Sequence, residues 1–220
     1  MQLRSGKIVN KSVSQKTKAT KTKTTVVGVD PTNIIYYADG GYYIGDFKNN
    51  KPQGKGTMYF KNGSIMYANS WRSGRAHGYG NYDFGNGKMY TGMLKDGHRY
   101  GWGTTMWNGN KNVTRGFWKN GGLAGYGFRQ FENASGKTSF CIGKFLERKA
   151  AICFTYTPNS DEAYLTYWKK GDYDHVRTVT NPAIIKTLQE CFENRANLKE
   201  RDIEHYMKHV MCPKVNIHIE

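Results

Sequence analysis

The sequence predicts a mainly β fold, a thin sheet of stacked hairpins finished at its C-terminal end by a pair of helices. Glycine pairs recur at an almost constant step, large apolar residues recur in columns at the same step, and a helical spacing takes over only near residue 181. Composition agrees. With 38% hydrophobic and 14% aromatic residues the 220-residue chain can form a core, but 26 glycines and a mean hydropathy of -0.74 do not suit a thick globule.

The chain divides into a basic tail over 1–28, a repeat sheet over 29–157 and a capping hairpin with two helices over 158–220. The formal net charge of +16 is uneven. Arg4, Lys7, Lys11, Lys16, Lys18, Lys21 and Lys23 all precede the first acidic residue, Asp30, and the segment has too few apolar side chains to offset the entropy of ordering. Ile35-Tyr36-Tyr37 before Asp39-Gly40 reads as the second half of a hairpin that protects the first edge of the sheet.

From Tyr43 the repeats are regular. Gly-x-Gly stands at Gly54/Gly56, Gly78/Gly80, Gly101/Gly103 and Gly125/Gly127, at intervals of 24, 23 and 24 residues. Nine positions before each pair lie Gly45, Asn69, Gly92 and Gly116, and two positions after those lie Phe47, Trp71, Leu94 and Trp118. Phe60, Phe84, Trp107 and Phe131 follow each pair by four, while Tyr43, Tyr67 and Tyr90 begin units. So short a period accommodates two strands and two turns, one hairpin per unit with its large side chains on one face. Asn62-Gly63 and Asn86-Gly87 suit tight turns with positive φ. The Gly-x-Gly step lets backbones approach without a Cβ between them.

Tyr43-Ile-Gly45 with Gly54-Lys-Gly56, and Tyr90-Thr-Gly92 with Gly101-Trp-Gly103, resemble the MORN (membrane occupation and recognition nexus) repeat. The resemblance implies an elongated, twisted antiparallel sheet of consecutive hairpins. Asn69, in place of the first glycine, and Thr114, in place of the tyrosine, are mild departures. Regularity then fades: Glu132 to Gly136 adds about three residues, Cys141-Ile-Gly143 with Phe145 keeps half a unit, and Ile152-Cys153-Phe154 fills the next Gly-x-Gly slot. Four good repeats and a degenerate fifth result.

An open stack exposes its last apolar face, so its end needs a different cover. Ala163 to Trp168, a Lys169–Asp172 turn and Val176 to Val179 read as a further hairpin. Asn181-Pro182 marks a helix start, with Ile184, Ile185, Leu188, Cys191 and Phe192 on one stripe. A second helix is expected from the capping-box pattern Asn197-Leu198-Lys199-Glu200 to about Met211, its stripe formed by Ile203, Tyr206, Met207 and Val210.

Chemical motifs are few. Gly136-Lys137-Thr138 resembles the end of a phosphate-binding loop, but Phe131 stands where that motif needs its first glycine, so the segment reads as a turn. His205, His209 and Cys212 have the spacing of metal ligands on one helix face, yet no fourth ligand accompanies them and an exposed polar face is the simpler reading. Cys141, Cys153, Cys191 and Cys212 form no Cys-x-x-Cys pair and read as reduced, packed thiols. With no paired carboxylates and no nucleophile beside a base, the expectation is a non-enzymatic protein without cofactor or metal. No stretch approaches the roughly 18 apolar residues that span a bilayer, and the N-terminus lacks the apolar centre of a secretory signal. An intracellular protein, soluble or peripheral to a membrane, is expected.

Lys55, Tyr79, Trp102 and Tyr126 occupy the middle of successive Gly-x-Gly steps and form a candidate aromatic and basic binding stripe. The leading functional expectation is a structural or interaction scaffold in a large assembly, with other proteins as partners and the basic tail on acidic neighbours. Met1 to Lys7 resembles the start of proteins from large DNA viruses, which often carry MORN repeats, and this makes a capsid or other virion component the concrete form of that reading. The alternatives are a tether to anionic membranes, for which seven basic residues give an upper bound of about 7 kcal/mol, and nucleic-acid binding through the tail, which predicts a steep loss of affinity with salt.

Overall fold

The computed structural model describes residues 26–30, 33–107, 109–146, 149–158, 160, 162–169 and 172–210. Among the described residues, fourteen strands form one antiparallel sheet in which spatial order is chain order. They are β1 (Val26–Asp30), β2 (Ile34–Tyr37), β3 (Tyr42–Lys48), β4 (Lys51–Tyr59), β5 (Ile65–Arg72), β6 (Arg75–Asp83), β7 (Met89–Lys95), β8 (His98–Trp107), β9 (Asn112–Lys119), β10 (Gly122–Glu132), β11 (Thr138–Leu146), β12 (Lys149–Thr157), β13 (Glu162–Lys169) and β14 (Asp172–Thr178). Helices α1 (Pro182–Glu193) and α2 (Glu200–Val210) follow.

Each regular unit is a hairpin closed by two residues that both have positive φ: Asn49-Asn50, Ser73-Gly74, Asp96-Gly97 and Asn120-Gly121. These are tight turns whose twist matches that of the strands they join. Asn62-Gly63 sits instead in the longer link between units, where the Asn62 side chain accepts from the Ser64 amide at 3.1 Å.

The two glycines of each Gly-x-Gly step do different work. Gly54, Gly78, Gly101 and Gly125 have φ from +64° to +86°, and each lies at a register shift between paired strands. The second glycine belongs to a row that crosses the sheet through paired positions, from Gly45 and Gly56 through Ala68, Gly80, Gly92, Gly103, Gly116 and Gly127 to Gly143. Aromatic rings lie flat in the trough it makes. A Cβ on Gly103 would stand 2.6 Å from ring carbon Cε2 of Tyr90. Tyr43 Oη donates to Asp46 O at 2.9 Å, Trp71 Nε1 to Gly56 O at 2.8 Å, Tyr90 Oη to Met93 O at 2.7 Å and Trp118 Nε1 to Gly103 O at 2.9 Å. Tyr43 meets Trp71 edge to face, and Tyr90 meets Trp118 in the same way. The stacked rings therefore couple neighbouring units two by two.

This register corrects the expected alignment of the second unit. Ala68, not Asn69, pairs with Gly56 and Gly80, so Met66 takes the place of the unit-initial tyrosine while Tyr67 turns to the opposite face. One extra residue between Ala68 and Trp71 is absorbed at the register shift between Ala68 and Ser70. The column of Phe60, Phe84, Trp107 and Phe131 is also less buried than its spacing implies, and Phe60 is exposed.

Helices α1 and α2 cover the face opposite the rings, over β10, β11 and β12. Phe128, Phe140, Ile142, Phe154 and Leu165 form a core there with Ile184, Leu188, Cys191, Ile203 and Met207. Asn181 caps α1, accepting from the Ala183 amide at 2.9 Å. The helix α2 begins at Glu200, later than the capping-box pattern at Asn197 implies, and Asp202 accepts from the Lys199 amide at 2.8 Å. Leu198 is buried, so the segment before α2 belongs to the core and not to the helix. Arg115 fastens that segment to the sheet, its Nη1 donating to Arg195 O at 2.7 Å and Ala196 O at 3.0 Å.

Candidate interaction surface

Side chains alternate across a strand, so residues flanking the trough glycines face the helix side. In the described residues this face has a covered end and a bare end. One cross-strand row runs from Tyr36, Tyr42, Tyr59 and Ile65 through Asp83, Met89, Met106, Val113 and Gln130 to Phe140. Phe140 lies under α1, stacked on Phe192 at 5.4 Å. The first part of the row has no such cover.

The bare end carries exposed apolar side chains set among polar ones. Tyr79 is 50% exposed and Met93, its cross-strand partner, 41%. Tyr36, Ile44, Ile65, Tyr67 and Met89 are exposed on the same face, and Tyr42 stacks on Tyr59 with ring centroids 4.6 Å apart. Monomeric proteins rarely leave contiguous apolar patches of this kind unless something docks on them.

The stripe expected from Lys55, Tyr79, Trp102 and Tyr126 keeps its common face but divides between these ends. Lys55 and Tyr79 are exposed on the bare part. Trp102 and Tyr126 are half-buried against the core beneath the helices, with Trp102 beside Lys199, Arg201 and Glu204. Reading the repeats by their glycines overlooked Ile44, Tyr67 and Met93. Their signal was simple alternation, each lying one residue from a buried ring-face residue.

Arg4, Lys7, Lys11, Lys16, Lys18, Lys21 and Lys23 lie outside the described residues, as does Cys212 of the expected His205, His209 and Cys212 set. Among the described residues no three His, Cys, Asp or Glu side chains converge as metal ligands. Cys141, Cys153 and Cys191 are free thiols and buried. No helix among the described residues is long and apolar enough to cross a membrane.

The family profile of the MORN repeat matches residues 43–65 and 70–89. Its two segments leave out the stretch in which the second unit slips register. No curated protein matches the chain. The hairpins and the glycine trough of residues 43–89 are thus those of a segment that matches the MORN repeat family.

Proposed function

We propose that the protein is a non-catalytic scaffold that receives a protein partner on the bare end of its helix face. The observation that carries this reading is the set of exposed aromatic and aliphatic side chains Ile44, Tyr67, Tyr79 and Met93, bare among the described residues, on the face whose other end the chain covers with its own helices. A large assembly is the setting we propose, and the resemblance of residues 1–7 to proteins of large DNA viruses makes a capsid or other virion the assembly in which to look. The basic tail adds long-range attraction for an acidic neighbour.

Affinity purification from the native source after crosslinking tests the scaffold reading. Stoichiometric protein neighbours should be captured by the intact chain and lost by the Tyr79→Glu, Met93→Glu double variant, which places charge on the docking row. Equal capture by both proteins would sink the assignment of the partner to this face. Sedimentation with anionic liposomes, with and without residues 1–25, separates the tethering alternative. Binding that depends on the tail and on anionic lipid would favour a tether over a protein scaffold.

A further inference from the structure

The ring face also changes along its length. One cross-strand row begins with Tyr43, Met58, Met66, Tyr82 and Tyr90 and continues with Thr105, Thr114, Arg129, Cys141 and Thr155. Beside the later members lies a hollow of about 630 Å³, the size of a site for a small organic molecule. Thr114, where a unit-initial tyrosine is missing, lines it, as do Cys141, Cys153 and Thr155.

The two cysteines reach this hollow from neighbouring strands. Cys141 of β11 pairs with Thr155 of β12, and Cys153 pairs with Gly143, so the two are diagonal neighbours on one face. Gly143 puts no side chain beside them, since a Cβ there would stand 2.5 Å from Cys153 Cβ. Both cysteines are free, and their thiols share a hydrogen bond. Cys141 keeps 6% of its surface exposed and Cys153 5%, whereas Cys191, in the core beneath the helices, keeps none.

The pair is asymmetric. The hydrogen bond with Cys141 pulls the Cys153 thiol below its ordinary pKa against the effect of burial, and Thr155 Oγ1, 4.0 Å from the Cys153 sulfur, adds to the pull. The same hydrogen bond, and then burial, push Cys141 well above the ordinary thiol value. The thiolate is the form that attacks a disulfide. One thiol is therefore ready to attack, and its neighbour stands where it can resolve the product.

We propose that Cys141 and Cys153 form a thiol–disulfide exchange site for a small organic disulfide that enters through the hollow. In the first step the Cys153 thiolate attacks one sulfur of oxidised glutathione. A mixed disulfide forms, and one glutathione thiolate leaves and takes up the proton that Cys153 has lost. The Cys141 sulfur then displaces the second glutathione, which receives the Cys141 proton, and the Cys141–Cys153 bond closes. Two cysteine thiols are oxidised, and one disulfide is reduced to two thiols. Diagonal neighbours on antiparallel strands stand about 7–8 Å apart at Cα, at the outer limit of a disulfide's reach, so closure draws β11 and β12 together. The register shift between Lys144 and Phe145, beginning one position beyond Gly143, is where these strands can give. A bond closed under such strain is the reversible kind and not a permanent staple. The site is on the opposite face from the proposed partner surface and does not depend on it.

Incubation of the full chain at graded ratios of oxidised to reduced glutathione, followed by alkylation and peptide mass mapping, tests the proposal. The expected result is a Cys141–Cys153 link in the folded chain that forms as the ratio rises and is lost as it falls. Hydrogen exchange in β11 and β12 should slow when the link is closed. Cys141→Ser should abolish the link and leave a glutathione adduct on Cys153, while Cys153→Ser should abolish it and leave Cys141 unmodified. Cys141→Ala and Cys153→Ala repeat the comparison without a hydroxyl in the hollow, each checked for a far-ultraviolet spectrum like that of the parent. A folded parent chain that gives no Cys141–Cys153 link at any ratio overturns the proposal. So does a link that forms only in urea, one that runs through Cys191 or Cys212, or adduct formation of equal yield on all four cysteines.

Discussion

The two ends of the sheet solve one problem in opposite ways. Around β3 to β7 the ring face is filled by Tyr43, Trp71 and Tyr90 while the helix face is bare among the described residues. Around β10 to β13 the helices add a second core on the other face, and the ring face, still packed by Leu123 and Phe145, borders a hollow lined by Arg99 of β8, Arg129 of β10 and Lys88. A thin sheet needs one well-packed side at each point along its length. Once rings provide it, the other side is free for a partner. Where helices add a second core, the row of Tyr43 and Tyr90 continues with Thr105, Thr114 and Arg129.

This comparison predicts that damage will be local. Trp71→Ala removes a fully packed indole and its bond to Gly56 O, at a cost of about 4 kcal/mol. Hydrogen exchange should then accelerate in β3 to β6 and stay unchanged beneath the helices. Leu188→Ala, costing about 3 kcal/mol, should do the reverse and expose β10 to β12. Exchange that accelerates uniformly in both variants would mean that the ends form one cooperative unit, and the division would fail.

Gly103→Ala tests the trough. Its new Cβ would overlap the Tyr90 ring, and the required displacement should cost roughly 3 kcal/mol in denaturant unfolding. Gly63→Ala, in an open turn at φ +80°, should cost only about 1 kcal/mol.

Alkaline pH should weaken the ring-filled end. Burial, the larger cause, and the neighbouring Asp39 push the Tyr37 hydroxyl up from 10.0 to about 12, and burial drives Tyr43 and Tyr90 higher still. Because the folded pKa values are raised, this contribution is complete below the ordinary tyrosine value near 10 and is lost as pH rises through the folded ones. Unfolding midpoints measured from pH 8 to pH 11 should therefore fall above about pH 10, with Tyr37→Phe reducing the slope. The smallest effect expected is at the helical end. Asn181→Ala removes the cap of α1 and should cost about 1 kcal/mol, without touching the ring face.

Much of this architecture could be read from spacing alone. The 24-residue step of Gly-x-Gly is a backbone requirement repeated once per hairpin, so it survives in the sequence even where side chains vary. Asn181-Pro182 was equally legible because capping is local chemistry. The second unit was misread because Tyr67 keeps the period of Tyr43 while the strand slips by one, and only the pairing of Ala68 with Gly56 reveals the slip. The type of the hairpin turns is present in Asp96-Gly97 and Asn120-Gly121, but the same dipeptide chemistry at Asn62-Gly63 and Asn86-Gly87 stands in the links between units. The hollow was not legible. Lys88, Arg99 and Arg129 belong to three different columns, and only strand pairing brings them to one place. Thr114 looked like a mild loss, whereas its missing ring helps to leave the space.

Because every strand follows its chain neighbour across the sheet, the array also acts as a ruler. Fourteen strands at about 4.8 Å apart give a contour of about 60 Å from β1 to β14. Adding or deleting one hairpin would change that contour by roughly 10 Å, with the chemistry at each end unaltered. The separation between the two ends of the sheet is thus written in the number of its repeats.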